Sequence, residues 1–245
     1  MNELDYIYKV RTDISGLDVN GYIKPQTYQV IINKVAEEHL EKFNISFEDI
    51  MKYDLGWVLV SLSVDVKKHI KGCSELEIRT WYSGNRGPCF RREIEAKDVN
   101  GDIVFVASTY SILLDMKTRS IYRKKELPFE LSEIIDIKLT KAVPNYRGKY
   151  TFENITTRKM ERSYIDCLGH VNNCKYGEIA FDSILDNEAD LSKIEGFNIY
   201  FISELKQNNM IDINKYNDKN TIAIQGFDNQ KNVTSFVVEF LLNKF

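Results

Sequence analysis

Two stretches of this chain lie over one another without a gap. Asp18-Val-Asn-Gly-Tyr-Ile-Lys-Pro-Gln-Thr-Tyr28 and Asp166-Cys-Leu-Gly-His-Val-Asn-Asn-Cys-Lys-Tyr176 share Asp, Gly and Tyr at equivalent places, with Ile in one for Val in the other. Each precedes a segment of helical period. After the first copy, Tyr28, Ile31, Ile32, Val35, Ala36, His39, Leu40 and Phe43 recur every three or four residues, and Pro25 suits a first helical turn, so a helix is predicted over Pro25–Phe43. After the second copy, Tyr176, Ile179, Ala180, Ile184 and Leu185 predict a helix from Lys175 to about Asp186. A chain that repeats a turn and a helix in this way folds as two copies of one unit.

The residues between and beyond the helices alternate. Tyr6–Val10 reads as a short strand, and Ser46 with Asp49 as the cap of a second short helix that Gly56 ends. Val58, Val60, Leu62, Val64 and Val66 are expected on one face of a strand, with Leu59, Ser61, Ser63 and Asp65 on the other. Strands follow from Leu76 to Thr80, Cys89 to Asp98 and Ile103 to Asp115, with Asn100-Gly101 as a hairpin turn. In the second half, strands are expected at Gly196–Lys206, Met210–Tyr216, Thr221–Phe227 and Val233–Leu242, with Asp228-Asn229 turning the chain. The stretch from Glu126 to Tyr150 has Pro128, Pro144 and Gly148 and no period. The expected organisation is α+β, each half a long helix wrapped by an antiparallel sheet: residues 1–130, a linker over 131–150, and residues 151–245.

Chemistry concentrates in the second copy. His170 is one of three histidines, Asp166 stands four residues before it, and Asn172 and Asn173 cap the coming helix. The first N–H groups of a helix and its positive end suit a developing oxyanion, so an acid, an imidazole and a helix start point to acyl-group hydrolysis. A plainer reading also fits: a half-buried histidine bonded to local carbonyls, and a cap that is only a cap. Tyr22 takes the place of His170 in the first copy, so that half is expected to support rather than catalyse.

Composition narrows the partners. At 43% hydrophobic and 12% aromatic the 245 residues can bury a large core. The acids in Met1–Tyr6 do not suit a signal peptide, and no run approaches the ~20 apolar residues of a membrane span, so a cytoplasmic location is expected. Cys73, Cys89, Cys167 and Cys174 are too few and too irregular for a disulfide framework. Cys167, His170 and Cys174 form a C-x2-H-x3-C run, but zinc takes four ligands and no second cluster supplies the rest, so no metal is expected. The net charge is −3, yet Lys117 to Arg162 holds twelve Lys or Arg against six acids. A basic strip on an acidic protein suits an anionic partner better than it suits duplex DNA, though a solvated face with no partner also fits. Homodimer formation is left open.

The wider sequence resembles the acyl-[acyl carrier protein] thioesterases. Gly56-Trp-Val-Leu-Val-Ser-Leu-Ser-Val-Asp-Val66, Thr80-Trp-Tyr-Ser83, Phe90-Arg-Arg-Glu93, Ala107-Ser-Thr109, Met116-Lys-Thr-Arg119 and Asp166 to Tyr176 carry the likeness. It implies a tandem double hotdog fold, hydrolysis of fatty acyl thioesters on an acidic acyl carrier protein, and no cofactor. In that family an Asp-x-Asn-x-His string and a Glu from a following strand are implicated in hydrolysis. Asp166 and His170 match, Leu168 stands where the Asn is expected, and Glu204 is the candidate Glu. The plant enzymes place a Cys after that Glu; Leu205 stands here. The alternatives left open are an acyl-CoA thioesterase, a non-catalytic acyl-binding double hotdog, and a hotdog hydratase.

Overall fold

The computed structural model describes residues 6–123, 126–184 and 190–243. The chain runs β1 (Tyr8–Arg11), α1 (Pro25–Glu41), α2 (Phe47–Met51), β2 (Leu55–Val66), β3 (Glu75–Arg86), β4 (Cys89–Lys97), β5 (Ile103–Asp115) and β6 (Ser120–Ile121). The second half runs β7 (Glu153–Lys159), α3 (Asn173–Phe181), β8 (Ile194–Phe201), β9 (Met210–Asn217), β10 (Thr221–Asp228) and β11 (Val233–Leu242). The strands form one sheet in the order β1-β3-β4-β5-β2-β8-β11-β10-β9-β7, with β6 on β5. The halves join where β2 pairs antiparallel with β8, from Ser61 opposite Tyr200 to Asp65 opposite Gly196. This is the tandem double hotdog: two helices on the inner face of one antiparallel sheet. Among the described residues no helix is long and apolar enough to cross a membrane.

The inner face buries a core that ignores the boundary between halves. Ile32 and Val35 of α1, Val64, Phe105, Ile179 of α3, Phe197 and Phe236 all belong to it. The tyrosine shared by the two repeats has the same task in each. Tyr28 packs edge-on against Phe105 at 5.1 Å and Tyr176 against Phe236 at 4.9 Å, a geometry that aromatic quadrupoles favour. The helices touch where α3 has no side chain. A Cβ on Gly177 would lie 2.3 Å from Gln29 Oε1, and Gln29 Nε2 donates to the Asn173 carbonyl at 3.1 Å.

Several expected boundaries move. α3 ends at Phe181, closed by the Ser183 hydroxyl on the Ile179 carbonyl at 2.7 Å and by Ile184 N–H on the Phe181 carbonyl; Leu185 and Asp186 lie outside the described residues. α2 has its Ser46–Asp49 capping box but stops at Met51, and Gly56 lies inside β2. β8 stops at Phe201, so Glu204 sits in the segment after the strand. β7 carries mostly polar side chains on an edge, which is why no alternation announced it.

The expected alternation of β2 fails at one residue. Leu59 pairs with Ser111 and Ser61 with Tyr110, so Val60 is a bulge. Beyond it Leu62, Val64 and Val66 face the core, whereas Val58 and Val60 pack on the outer face with Tyr110 and Ile112. Trp57 and Leu59 are thereby turned inward, onto the wall of a cavity.

The stretch without period is a strap across the outer face, crossing strands in their spatial order. Over β3, Ile135 N–H donates to the Tyr82 carbonyl and Trp81 Nε1 to the Ile137 carbonyl at 3.1 Å. Over β4 and β5, Leu139 N–H reaches Glu93 at 3.0 Å, Arg91 reaches the Thr140 carbonyl at 2.8 Å, and the Thr140 and Ser108 hydroxyls meet at 2.8 Å. Ser61 of β2 donates to the Val143 carbonyl, Tyr146 packs on Tyr200 of β8, and Tyr150 donates to Glu239 of β11 at 3.0 Å. Glu93, fully buried, accepts from Arg91, Ser83, Ser108 and the Leu139 N–H. Its carboxylate therefore has the dense set of donors that a buried charge requires.

Candidate active site

The two repeats are the same turn. Asp166 Oδ1 accepts the N–H of Leu168 at 2.9 Å and of His170 at 3.3 Å; Asp18 Oδ1 accepts those of Asn20 at 2.9 Å and Tyr22 at 2.7 Å. Gly169 and Gly21 have φ of +80° and +83°, the left-handed region that glycine enters without strain. The shared Asp and Gly are therefore turn chemistry. Among the described contacts Asp166 bonds the backbone and not the imidazole.

His170 projects from that turn, and its Nε2 lies 3.1 Å from Glu204 Oε2. The same Glu204 oxygen takes a hydrogen bond from Arg119, and Lys231 Nζ donates to the Glu204 carbonyl at 3.0 Å. In the sequence Arg119 belongs to the basic strip and to the Met116–Arg119 string, and nothing there marks its partner, which lies in the other half. Leu205 is fully buried, and its carbonyl receives Val171 N–H at 2.9 Å, which ties the Glu204 segment to the turn. The first copy holds Tyr22 against His69 with ring centroids 6.0 Å apart, beside a space of about 20 Å³.

Asn172 caps α3 by accepting Cys174 N–H at 2.9 Å, and its own N–H goes to the Tyr164 carbonyl at 2.8 Å. That N–H is already engaged and cannot also serve an oxyanion, which corrects the expectation for Asn172. Lys175 N–H closes on the Asn172 carbonyl. Asn173, the first residue of α3, lies on the wall of a cavity of about 200 Å³.

Most of that cavity's wall comes from the first half. α1 contributes Ile32, Ala36, Leu40 and Phe43, and the sheet contributes Trp57, Leu59 and Phe90. Arg92 and His39 put polar groups on its wall, with Arg92 Nη1 3.0 Å from His39 Nδ1. Burial first, then the charges of Arg92 and Lys42, hold His39 down to about 3. It is a neutral ring at physiological pH.

The two thiols near the imidazole differ. Cys174 is half-buried, accepts from Asn33 Nδ2 at 3.4 Å, and is pushed up to about 11 by burial, so it is a protonated filler. Cys167 is exposed. The tight turn projects that position into solvent, as it does Val19, which is fully exposed in the first copy. Leu168 is 42% exposed, so the side chain at the place of the expected Asn points outward and supplies no hydrogen bond.

Residues 3–130 match the acyl-ACP thioesterase N-terminal domain and residues 148–238 the acyl-ACP thioesterase C-terminal domain. The chain belongs to the acyl-ACP thioesterase family. A curated relative, the chloroplastic dodecanoyl-[acyl-carrier-protein] hydrolase of Umbellularia californica, is 24% identical over 179 residues. The match covers 66% of this chain and 45% of that relative, so this chain spans less than half of its length. An acyl-ACP thioesterase from Bacteroides thetaiotaomicron superposes with a TM-score of 0.87 at 16% identity, covering 99% of this chain and all of the other. The 12:0-ACP thioesterase of Umbellularia californica superposes with a TM-score of 0.74 at 15% identity, covering 97% of each chain. At these identities the two thioesterase structures speak for the fold.

Proposed function

We propose that this acyl-ACP thioesterase family member hydrolyses fatty acyl thioesters carried by an acyl carrier protein, with the acyl chain in the cavity of the first half. The observation that carries this reading is the His170–Glu204 contact at 3.1 Å, made three residues before Asn173, the first residue of α3, which lies on the wall of a mainly apolar cavity. Arg119 already occupies the Glu204 oxygen that faces His170, so we assign His170 as the general base and Glu204 as the group that orients the ring through Nε2. His170 takes a proton from water as the water oxygen bonds to the thioester carbon. The oxyanion forms against the Asn173 N–H at the positive end of α3, where Cys174 and Lys175 N–H groups are already engaged. Collapse breaks the carbon–sulfur bond, and the departing thiolate receives the proton from His170. Asp166 acts earlier, by folding the turn that presents the ring. The test is a ladder of acyl-carrier substrates with release of free thiol as the signal. No release with any chain length would overturn the reading.

Water attack requires no enzyme thiol. The double variant Cys167→Ala, Cys174→Ala is expected to keep most of its turnover and to accumulate no acyl-enzyme in a single-turnover experiment. An acyl group trapped on either sulfur by mass spectrometry, with a matching loss of activity in the variant, would replace this mechanism by a Cys–His one.

The carrier protein is acidic, and we place its docking on the basic strip. Several cations of the strip are paired internally, Lys117 with Asp54, Lys138 with Asp136 and Arg158 with Asp182, while Lys141, Arg147, Lys149 and Arg162 are exposed. Lys124 and Lys125, also counted in the strip, lie outside the described residues. Turnover of carrier-bound substrate is expected to fall more steeply with salt than turnover of a short neutral thioester. Coincident salt curves would remove the strip from docking.

A further inference from the structure

We infer that Arg119 is a positioning residue for this hydrolysis, fixing Glu204 and through it the imidazole of His170, an assignment that rests on the hydrolase reading above. Arg119 lies on the hairpin between β5 and β6, in the first half, and its guanidinium bonds the same Glu204 oxygen that faces His170 Nε2 in the second half. The hairpin is built to hold it there. Asp115 Oδ1 accepts the N–H of Lys117 at 3.0 Å and of Thr118 at 2.8 Å, Lys117 Nζ pairs with Asp54 at 2.6 Å, and Met116 N–H donates to the Asp54 carbonyl at 2.8 Å.

Two features of Arg119 are not explained by stability. Its φ is +55°, a left-handed turn position that favours glycine or asparagine and strains any longer side chain. Its ion pair with Glu204 is exposed, the two side chains being 43% and 40% accessible, and exposed pairs add little to folding. A strained backbone that carries a side chain to a functional group is the pattern expected of a geometric constraint on the chemistry. The constraint is needed because Glu204 lies beyond the end of β8, where no strand pairing fixes it. Without Arg119 the carboxylate can turn to solvent, and the imidazole loses the partner that selects its tautomer and orientation. The half whose turn carries Tyr22 in place of the histidine thus supplies the outermost member of an Arg–Glu–His relay of orientation.

Arg119→Gly tests this, because glycine relieves the backbone strain. The variant should melt at or above the parental temperature. On acyl-carrier substrate, kcat should fall roughly 10- to 100-fold, the size seen when the partner that orients a functional side chain is lost, with KM little changed. Added guanidinium ion should restore part of that kcat in Arg119→Gly and none in the Arg119→Gly, Glu204→Gln double variant. With an active parent, an unchanged kcat or a lack of response to guanidinium overturns the assignment and leaves the hydrolase standing. A loss confined to KM also overturns it, by making Arg119 a docking cation. An inactive parent removes the hydrolase reading itself.

Discussion

Replacing His170 by alanine is expected to lower kcat for thioester hydrolysis by at least about a hundredfold, the lower end for a positioned general base. The folded protein should survive the change. The imidazole is partly exposed, with 18% of its side chain accessible, and the turn beneath it is held by Asp166 and Gly169 through backbone groups that alanine leaves in place. Thermal melting should therefore match the parent while turnover collapses. Parental turnover in the variant would remove His170 from the chemistry. Glu204→Gln keeps the shape but not the charge, so it should fall in the same assay without a change in fold. Asp166→Ala should differ from both, because it removes the oxygen that accepts two turn N–H groups: lost activity should come with lost order in the turn.

Glu93→Ala should be among the most destabilising single changes in the chain. Glu93 is fully buried, its carboxylate accepts from Arg91, Ser83, Ser108 and the Leu139 N–H, and Arg91 is itself 6% exposed. Removing one partner leaves an uncompensated buried guanidinium, which costs about 3–5 kcal/mol. For a chain of this size that corresponds to a fall of about 10 °C in melting temperature. The double change Arg91→Met, Glu93→Leu removes both charges and should recover most of the loss, since apolar replacements of a whole buried pair are close to neutral. A single variant that melts with the parent would show that the strap is not fastened through this pair.

How much of this was legible depended on whether the signal was local. α1 could be read from the helical recurrence of Tyr28 to Phe43 and from Pro25, and it forms at Pro25–Glu41. The hairpin at Asn100-Gly101 follows from residues that accept the turn, and Gly101 has φ of +85°. The bulge at Val60 could not be read, because it depends on which residues of β5 stand opposite and no local residue marks it. The strap reads as a loop because its order comes from hydrogen bonds to side chains on distant strands, Glu93 and Ser61 among them. At the site, the turn was visible as a repeated string, and Glu204 came from a family resemblance. Arg119 was hidden because an arginine at a left-handed position breaks the local rule that would have announced the turn.

The unequal fate of the two repeats sets a stoichiometry. Each half presents the same turn at the head of a helix, but where the second copy places an imidazole against a carboxylate, the first places Tyr22 against His69, with room beside them for little more than one water molecule. A chain of two similar halves is therefore expected to titrate as one site. One equivalent of a non-hydrolysable acyl thioester should saturate one chain, with no second site of this kind among the described residues with which to cooperate. A sigmoidal dependence of rate on substrate would then report association between chains.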